Sequence, residues 1–216
     1  MNKRPLSIYG ILLLLTLGFG VSSTASAALI DVGTQQTTFT GFTRGFWFVA
    51  PTDFTITGLG VPTDASSENF DVAVLRFAAI PPEFSAETSV FDTLFISRDN
   101  SGSSLLSTNI NISIGDIIGI FGSRGANSTN SYGTATYSSS ILGLPVTLTR
   151  LLMQDDLRAT DPAVVGVSSE SGKRIGRVLV DINSQSQSVP EPASITLLVL
   201  GLAGMRLSRG KGFKLG

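Results

Sequence analysis

The chain has 216 residues, with 15 Lys and Arg against 16 Asp and Glu, no His and no Cys. That inventory excludes disulfides, thiol nucleophiles, His-ligated zinc and a Ser-His-Asp triad. The length fits one domain, two at most.

At the start, Lys3 and Arg4 precede an apolar run over 8–21, and small residues follow at Ala25, Ser26 and Ala27. This order of basic, apolar and small residues predicts a secretory signal peptide over 1–27, cut after Ala27, with Ala28 as the alternative point. The run is shorter than the ~20 residues of a permanent membrane span.

Residues 28–182 are expected to form one all-β domain, a single β-sandwich of jelly-roll type, with no helical apolar stripe longer than two turns. Candidate strands run over 36–40, 44–50, 53–59, 70–78, 93–98, 105–114, 116–122, 133–138, 146–153, 163–168 and 177–182. Ile110, Ile112 and Ile114 alternate with Asn109, Asn111 and Ser113, so one face is buried and the other wet. Phe54 and Ile56 alternate with Thr55 and Thr57, and Gly58 and Gly60 are expected to bend or bulge the chain. Phe46, Trp47, Phe48 and Val49 are apolar on both faces, as are Ile117, Ile118, Ile120 and Phe121, where Gly119 admits a close neighbouring layer. Gly115 and Asp116 mark a tight turn. Residues 101–140 are rich in Ser, Asn, Gly and Thr, and are expected to carry long solvated loops around their strands.

Some residues in this domain invite a chemical reading. Trp47, the lone tryptophan, could stack on a sugar, but in a strand apolar on both faces it fits a core better. Arg44 beside it reads as an edge residue paired with an acid. Tyr132 and Tyr137 lie in the Gly/Ser/Asn-rich region and are the better exposed aromatics for glycan stacking. Asp64, Glu68 and Asp71, or Asp155, Asp156 and Asp161, or the turn Asp99-Asn100-Ser101-Gly102, could offer oxygens to calcium, though none matches the calcium-loop motif. Fifteen acids would also supply some carboxylate pair for glycoside hydrolysis, but no spacing marks one out. Serine chemistry would need Lys173 as base, the only lysine of the domain. No catalytic residues and no metal or cofactor site are therefore assigned.

Residues 183–188 form a polar Ser/Gln linker. Then come Val189, Pro190, Glu191 and Pro192, an apolar run over 195–205, and the basic cluster Arg206, Arg209, Lys211 and Lys214. Prolines keep the chain extended and open to an enzyme. The apolar helix can lodge transiently in the membrane, with the basic end held on the cytoplasmic side.

The unit over 189–214 resembles the PEP-CTERM sorting signal of Gram-negative bacteria. The resemblance implies an exosortase as partner, besides the general secretion machinery. Thr43-Arg44-Gly45-Phe46-Trp47-Phe48-Val49-Ala50-Pro51 and Asp53-Phe54-Thr55-Ile56-Thr57-Gly58-Leu59 are similar to the opening of domains found in such proteins. That second likeness implies a fold and a location and no activity.

Charge divides the chain in the same way. Residues 1–28 carry +2, residues 189–216 carry +3, and residues 29–188 hold nine basic against fifteen acidic residues, net −6. An acidic domain does not suit nucleic acid. The expected function is a non-enzymatic exported protein of the outer surface or extracellular matrix. The alternative is a carbohydrate-binding module for exopolysaccharide, and a glycoside hydrolase ranks third.

Overall fold

The computed structural model describes residues 27–135, 137–158 and 166–185. The predicted terminal helices, Ala25, the sorting residues Val189, Pro190, Glu191 and Pro192, and the basic cluster Arg206, Arg209, Lys211 and Lys214 lie outside these ranges.

Among the described residues the fold is all-β and contains fourteen strands. They are β1 Ala27–Leu29, β2 Thr37–Phe39, β3 Arg44–Val49, β4 Phe54–Gly60, β5 Phe70–Phe77, β6 Phe91–Asn100 and β7 Leu106–Ile112. The second half holds β8 Ile117–Arg124, β9 Asn130–Ala135, β10 Tyr137–Ile141, β11 Leu144–Met153, β12 Val167–Glu170, β13 Arg174–Gly176 and β14 Leu179–Ser184. A four-stranded sheet has the order β1-β14-β4-β7. A seven-stranded sheet has the order β10-β11-β3-β8-β5-β6, with β12 beside β11, and a small sheet has the order β13-β9-β2. All ladder pairs between these strands are antiparallel.

Period-two alternation decides which side chains meet. Phe46 and Phe48 of β3, Val72 and Val74 of β5, and Ile118 and Ile120 of β8 share one buried cluster with Phe54 and Ile56 of β4, Ile110 and Ile112 of β7, and Val180 and Ile182 of β14. Burial of each such side chain stabilises by roughly 1.5–3 kcal/mol before entropy is counted. The opposite face of the seven-stranded sheet holds a second cluster, in which Leu75, Phe77, Phe121, Leu151 and Met153 meet Leu157 and Val167. Strands β3, β5 and β8 are therefore apolar on both faces.

Glycine sets the closest approaches. A Cβ on Gly119 would stand 2.6 Å from the Phe77 ring and 2.7 Å from Leu151, so the bare backbone is what lets the second cluster close over β8. Gly176 of β13 lies against β3, and its Cβ would stand 2.7 Å from the Arg44 carbonyl carbon and the Gly45 nitrogen. The register of β4 against β14 shifts between the Gly58–Asp181 and Ile56–Ile182 pairs, the bulge that Gly58 leads one to expect. The turn before β8 also forms as expected, with the Asp116 carboxylate accepting the Ser113 N–H at 2.9 Å.

Some expectations are corrected. Ile114 is 67% exposed, because β7 ends at Ile112 and the chain turns there. The 133–138 strand becomes β9 and β10, and β9 buries Asn130, Ser131 and Tyr132 where solvated loop was expected. The 163–168 strand is displaced to β12, and residues 159–165 lie outside the described ranges. The polar linker starts later than 183, since Asn183 and Ser184 belong to β14, and the Gln185 side chain donates to the Phe54 and Ile112 carbonyls at 3.0 and 3.3 Å. Strand β1 was not expected at all. Its Ala27 and Ala28, the candidate cleavage residues, pair with Asn183 and Ile182.

Candidate functional site

The aromatic residues expected to face a glycan are engaged in the fold to different degrees. Tyr132 sits in the middle strand of the small sheet, paired on one side with Thr37 and on the other with Gly176, and is 7% exposed. Its ring stacks on Phe39 at 5.9 Å, and the Arg150 guanidinium lies 5.0 Å from its centroid. Arg150 also donates to the Tyr132 hydroxyl at 2.8 Å and pairs with Glu170 at 3.2 Å. Burial pushes the phenol pKa up, against the pull of Arg150 and Arg44. The exposed-loop expectation for Tyr132 is thus corrected, and neither ring face is open to a sugar.

Tyr137 is half-buried on β10, and its hydroxyl donates to Asp31 at 2.7 Å. The ring covers Gly33, where a Cβ would come within 2.8 Å of it. This bond, helped by the Gly33 N–H, holds the Asp31 carboxyl below the ordinary range, and it pushes the Tyr137 phenol up. Trp47 is half-buried against the second apolar cluster, with its Nε1 buried and unpartnered. As expected of a regular strand, it points away from Phe46 and Phe48.

Arg44 is neither at an edge nor paired with an acid. It is buried, donates to the carbonyls of Thr43 at 3.0 Å and Met153 at 2.5 Å, and lies 4.9 Å over Phe39 and 5.5 Å over Phe42. Burial pushes its pKa down.

Asp64, Asp71 and Asp155, taken from the acids grouped by sequence, are each engaged by a cation or a backbone N–H. Asp64 pairs with Arg177. Asp71 is fully buried, accepts the Asp99 N–H at 2.7 Å and pairs with Arg158 at 3.1 Å. Burial pushes the Asp71 carboxyl up, and the Asp99 and Arg158 bonds pull against it. Asp155 accepts the Asp156 N–H at 2.7 Å, and Asp161 lies outside the described residues. Among the described residues, no group of three or more acids is placed to hold calcium.

The basic residues give a clearer pattern. Arg76 pairs with Asp116, Arg150 with Glu170, Arg158 with Asp71 and Asp99, and Arg177 with Asp64. Arg44, Arg98 and Arg124 donate to backbone carbonyls. Among the described basic residues, only Lys173 and Arg174 have side chains with neither a hydrogen bond nor an ion pair.

Both line one open cleft of about 350 Å³, together with Gln36, Thr134, Ala135 and Gly172. The cleft lies where the β12–β13 turn meets β9. Gly172 takes φ +70° in that turn, and the Ser171 N–H and hydroxyl both donate to Glu83. The pairing of Arg174 with Ala135 fixes the other side. A larger opening of about 410 Å³ beside Asp92 holds Arg76, which Asp116 already neutralises. The adjacent Lys173-Arg174 pair in an acidic domain was the visible sign of this cleft. What the sequence hid is that every other cation there is occupied.

Among known protein families none matches the chain, and no curated protein matches it.

Proposed function

We propose that the chain is a non-enzymatic exported protein of the cell surface or extracellular matrix. A signal peptide carries out a β-sandwich, jelly-roll-like domain, and an exosortase then processes the tail after a brief stay in the inner membrane. The observation that carries this reading is the order Pro190-Glu191-Pro192, apolar run, basic end, which follows the last described strand after a short polar linker. The fold is compatible with such processing. Its final tie among the described residues is Gln185, so a cut at the two prolines removes none of the described strands. Two sheets sharing one apolar cluster support a sandwich. Strands β1 and β14 pair with Ala27 opposite Asn183, so the first and last described strands lie side by side in one sheet.

The test is the intact mass of the mature protein from cells that have the processing machinery, native and Pro190→Ala/Pro192→Ala. The native chain is expected to lack the apolar run and the basic end, and the variant to retain them. The same C-terminal mass in both, or an intact tail on the native product, overturns the sorting reading.

A second reading, a carbohydrate-binding module, is favoured by the unpartnered cations in the Lys173–Arg174 cleft. The carboxylates of Asp64, Asp71 and Asp155, engaged by arginines or backbone N–H groups, leave a glycoside hydrolase with less support.

A further inference from the structure

We propose that the Lys173–Arg174 cleft binds acidic polysaccharide, gripping the carboxylates of uronate residues while Gln36 and Thr134 meet the sugar hydroxyls. This rests on the carbohydrate-binding reading and names its ligand class and its site.

Charge makes the first argument. Residues 29–188 carry net −6, and a polyanion is repelled by most of such a surface. No acid lines this cleft, while two cations do. A chain bearing regularly spaced carboxylates is therefore steered to this place.

Lining chemistry makes the second. A bare anion needs only cations, but here Gln36, Thr134 and Ala135 share the wall, and the Gln36 amide, which donates one N–H to Thr34 at 3.2 Å, keeps its second N–H and its oxygen. Amide and hydroxyl groups both donate and accept, which suits sugar hydroxyls. About 350 Å³ lies at the small end of ligand pockets, room for a sugar unit or two. An open cleft also lets a polymer continue past on both sides.

Preorganisation makes the third. The turn carrying Lys173 is braced by Ser171 on Glu83 and by Arg174 opposite Ala135, so little backbone freedom remains to be lost on binding.

Other anions fit less well. Duplex or single-stranded nucleic acid calls for several phosphate contacts. Attachment to an anionic membrane takes a cluster of about 4–8 basic residues. Two cations on an acidic domain meet neither need.

Affinity electrophoresis of the purified protein tests this, in gels holding polygalacturonate, neutral dextran or polyphosphate. Polygalacturonate is expected to retard the native protein, and dextran and polyphosphate are not. Lys173→Gln/Arg174→Gln is expected to weaken that binding about tenfold or more, and about 0.5 M NaCl to abolish it. Gln36→Ala is expected to cost about threefold, as a neutral contact would. Adding two negative charges on the exposed loop before β7, as Ser101→Asp/Ser103→Asp, is expected to leave retardation in place, which separates a local contact from overall repulsion. An unchanged urea midpoint certifies the fold of each variant. Equal retardation of the double glutamine variant overturns the proposal. So does no retardation of the native protein, or equal retardation by polyphosphate. The tail mass is a separate readout, so failure of the sorting reading and failure of this one are told apart.

Discussion

Arg124 and the Lys173–Arg174 pair bear the same kind of charge and meet opposite surroundings. Arg124 is 1% exposed, yet no carboxylate pairs with it. Its Nε donates to the carbonyls of Val61 and Pro62, Nη1 to Glu68 at 2.6 Å, and Nη2 to Val61 at 2.6 Å, with Gly102 shared at 3.3 Å. The guanidinium carbon lies 5.2 Å from the centre of the Phe70 ring. One planar fork thus ties the chain after β4, the residues before β5 and the loop after β6. Burial pushes its pKa down, but a guanidinium starts so high that it stays charged. Lys173 and Arg174, by contrast, are exposed and fasten nothing through their side chains. A cation whose donors are all spent on carbonyls holds a fold together. Cations with every donor free, side by side on a braced turn, are available to a ligand.

The largest effect expected from this contrast is that of Arg124→Ala. It strands the carbonyls of Val61, Pro62, Glu68 and Gly102 and uncovers Phe70, at a cost of about 3–5 kcal/mol in urea unfolding. Arg124→Lys keeps the charge but presents one point of three donors in place of a fork, and is expected to recover less than half of that loss. A cost below about 1 kcal/mol for the alanine variant would put Arg124 in the same class as a surface cation and break the comparison.

Next in size is Gly176→Ala, at the far end of the short strand that begins with Arg174. Its new methyl would press on the backbone of Arg44 and Gly45, which has no flexible end to yield. The expected cost is about 1–3 kcal/mol in the same unfolding assay. The cleft should loosen with it, sharpening the claim that the free cations stand on a fixed base.

These contrasts show what could be seen in the sequence and what could not. Alternation in Phe54-Thr55-Ile56-Thr57 and Asn109-Ile110-Asn111-Ile112 places the inward faces of β4 and β7, because a half-buried strand leaves that mark on its own residues. Gly115 and Asp116 announce their turn for the same local reason. Asn130-Ser131-Tyr132 looks like loop, and its burial depends on partners far along the chain. The Asn130 amide donates to the Phe42 carbonyl at 2.7 Å, and its oxygen accepts the Arg44 N–H at 2.8 Å. Strand β1 has only Ala-Ala-Leu, without the β-branched residues that signal a strand, and exists because β14 offers it an edge. Lys173 and Arg174 are easy to see, but the occupation of every other cation becomes apparent only when Asp64 meets Arg177 and Asp71 meets Arg158 in space.

A smaller effect is expected at the hydrogen bond between Tyr137 and Asp31, which closes β10 over Gly33. Tyr137→Phe should cost about 0.5–1 kcal/mol, since the pair is open to water. The pH dependence has two sides. Asp31 has its pKa lowered on folding, so its share is present above the unfolded value of about 3.9 and is lost as pH falls through the folded value. Tyr137 has its pKa raised, so its share is present below the unfolded value of about 10 and is lost as pH rises through the folded one. The stability gap between native and variant should be widest between about pH 5 and 9 and close at both ends. A gap near zero at every pH would mean that ring packing on Gly33, which phenylalanine keeps, and not the bond, holds β10.

The smallest effect belongs to Lys173→Gln/Arg174→Gln. Two terms oppose each other here. Removing neighbouring like charges relieves their repulsion, while making an acidic domain more acidic adds to its overall self-repulsion. Neither substitution strands a buried partner, because neither side chain has one. The net change in unfolding free energy is expected within about 0.5 kcal/mol of zero. A loss above about 1.5 kcal/mol would mean that these cations hold the turn, as Arg124 holds its loops. Their freedom to take a ligand would then be gone. Near-silence in stability together with loss of polyuronate retardation is the combination that only a binding role produces.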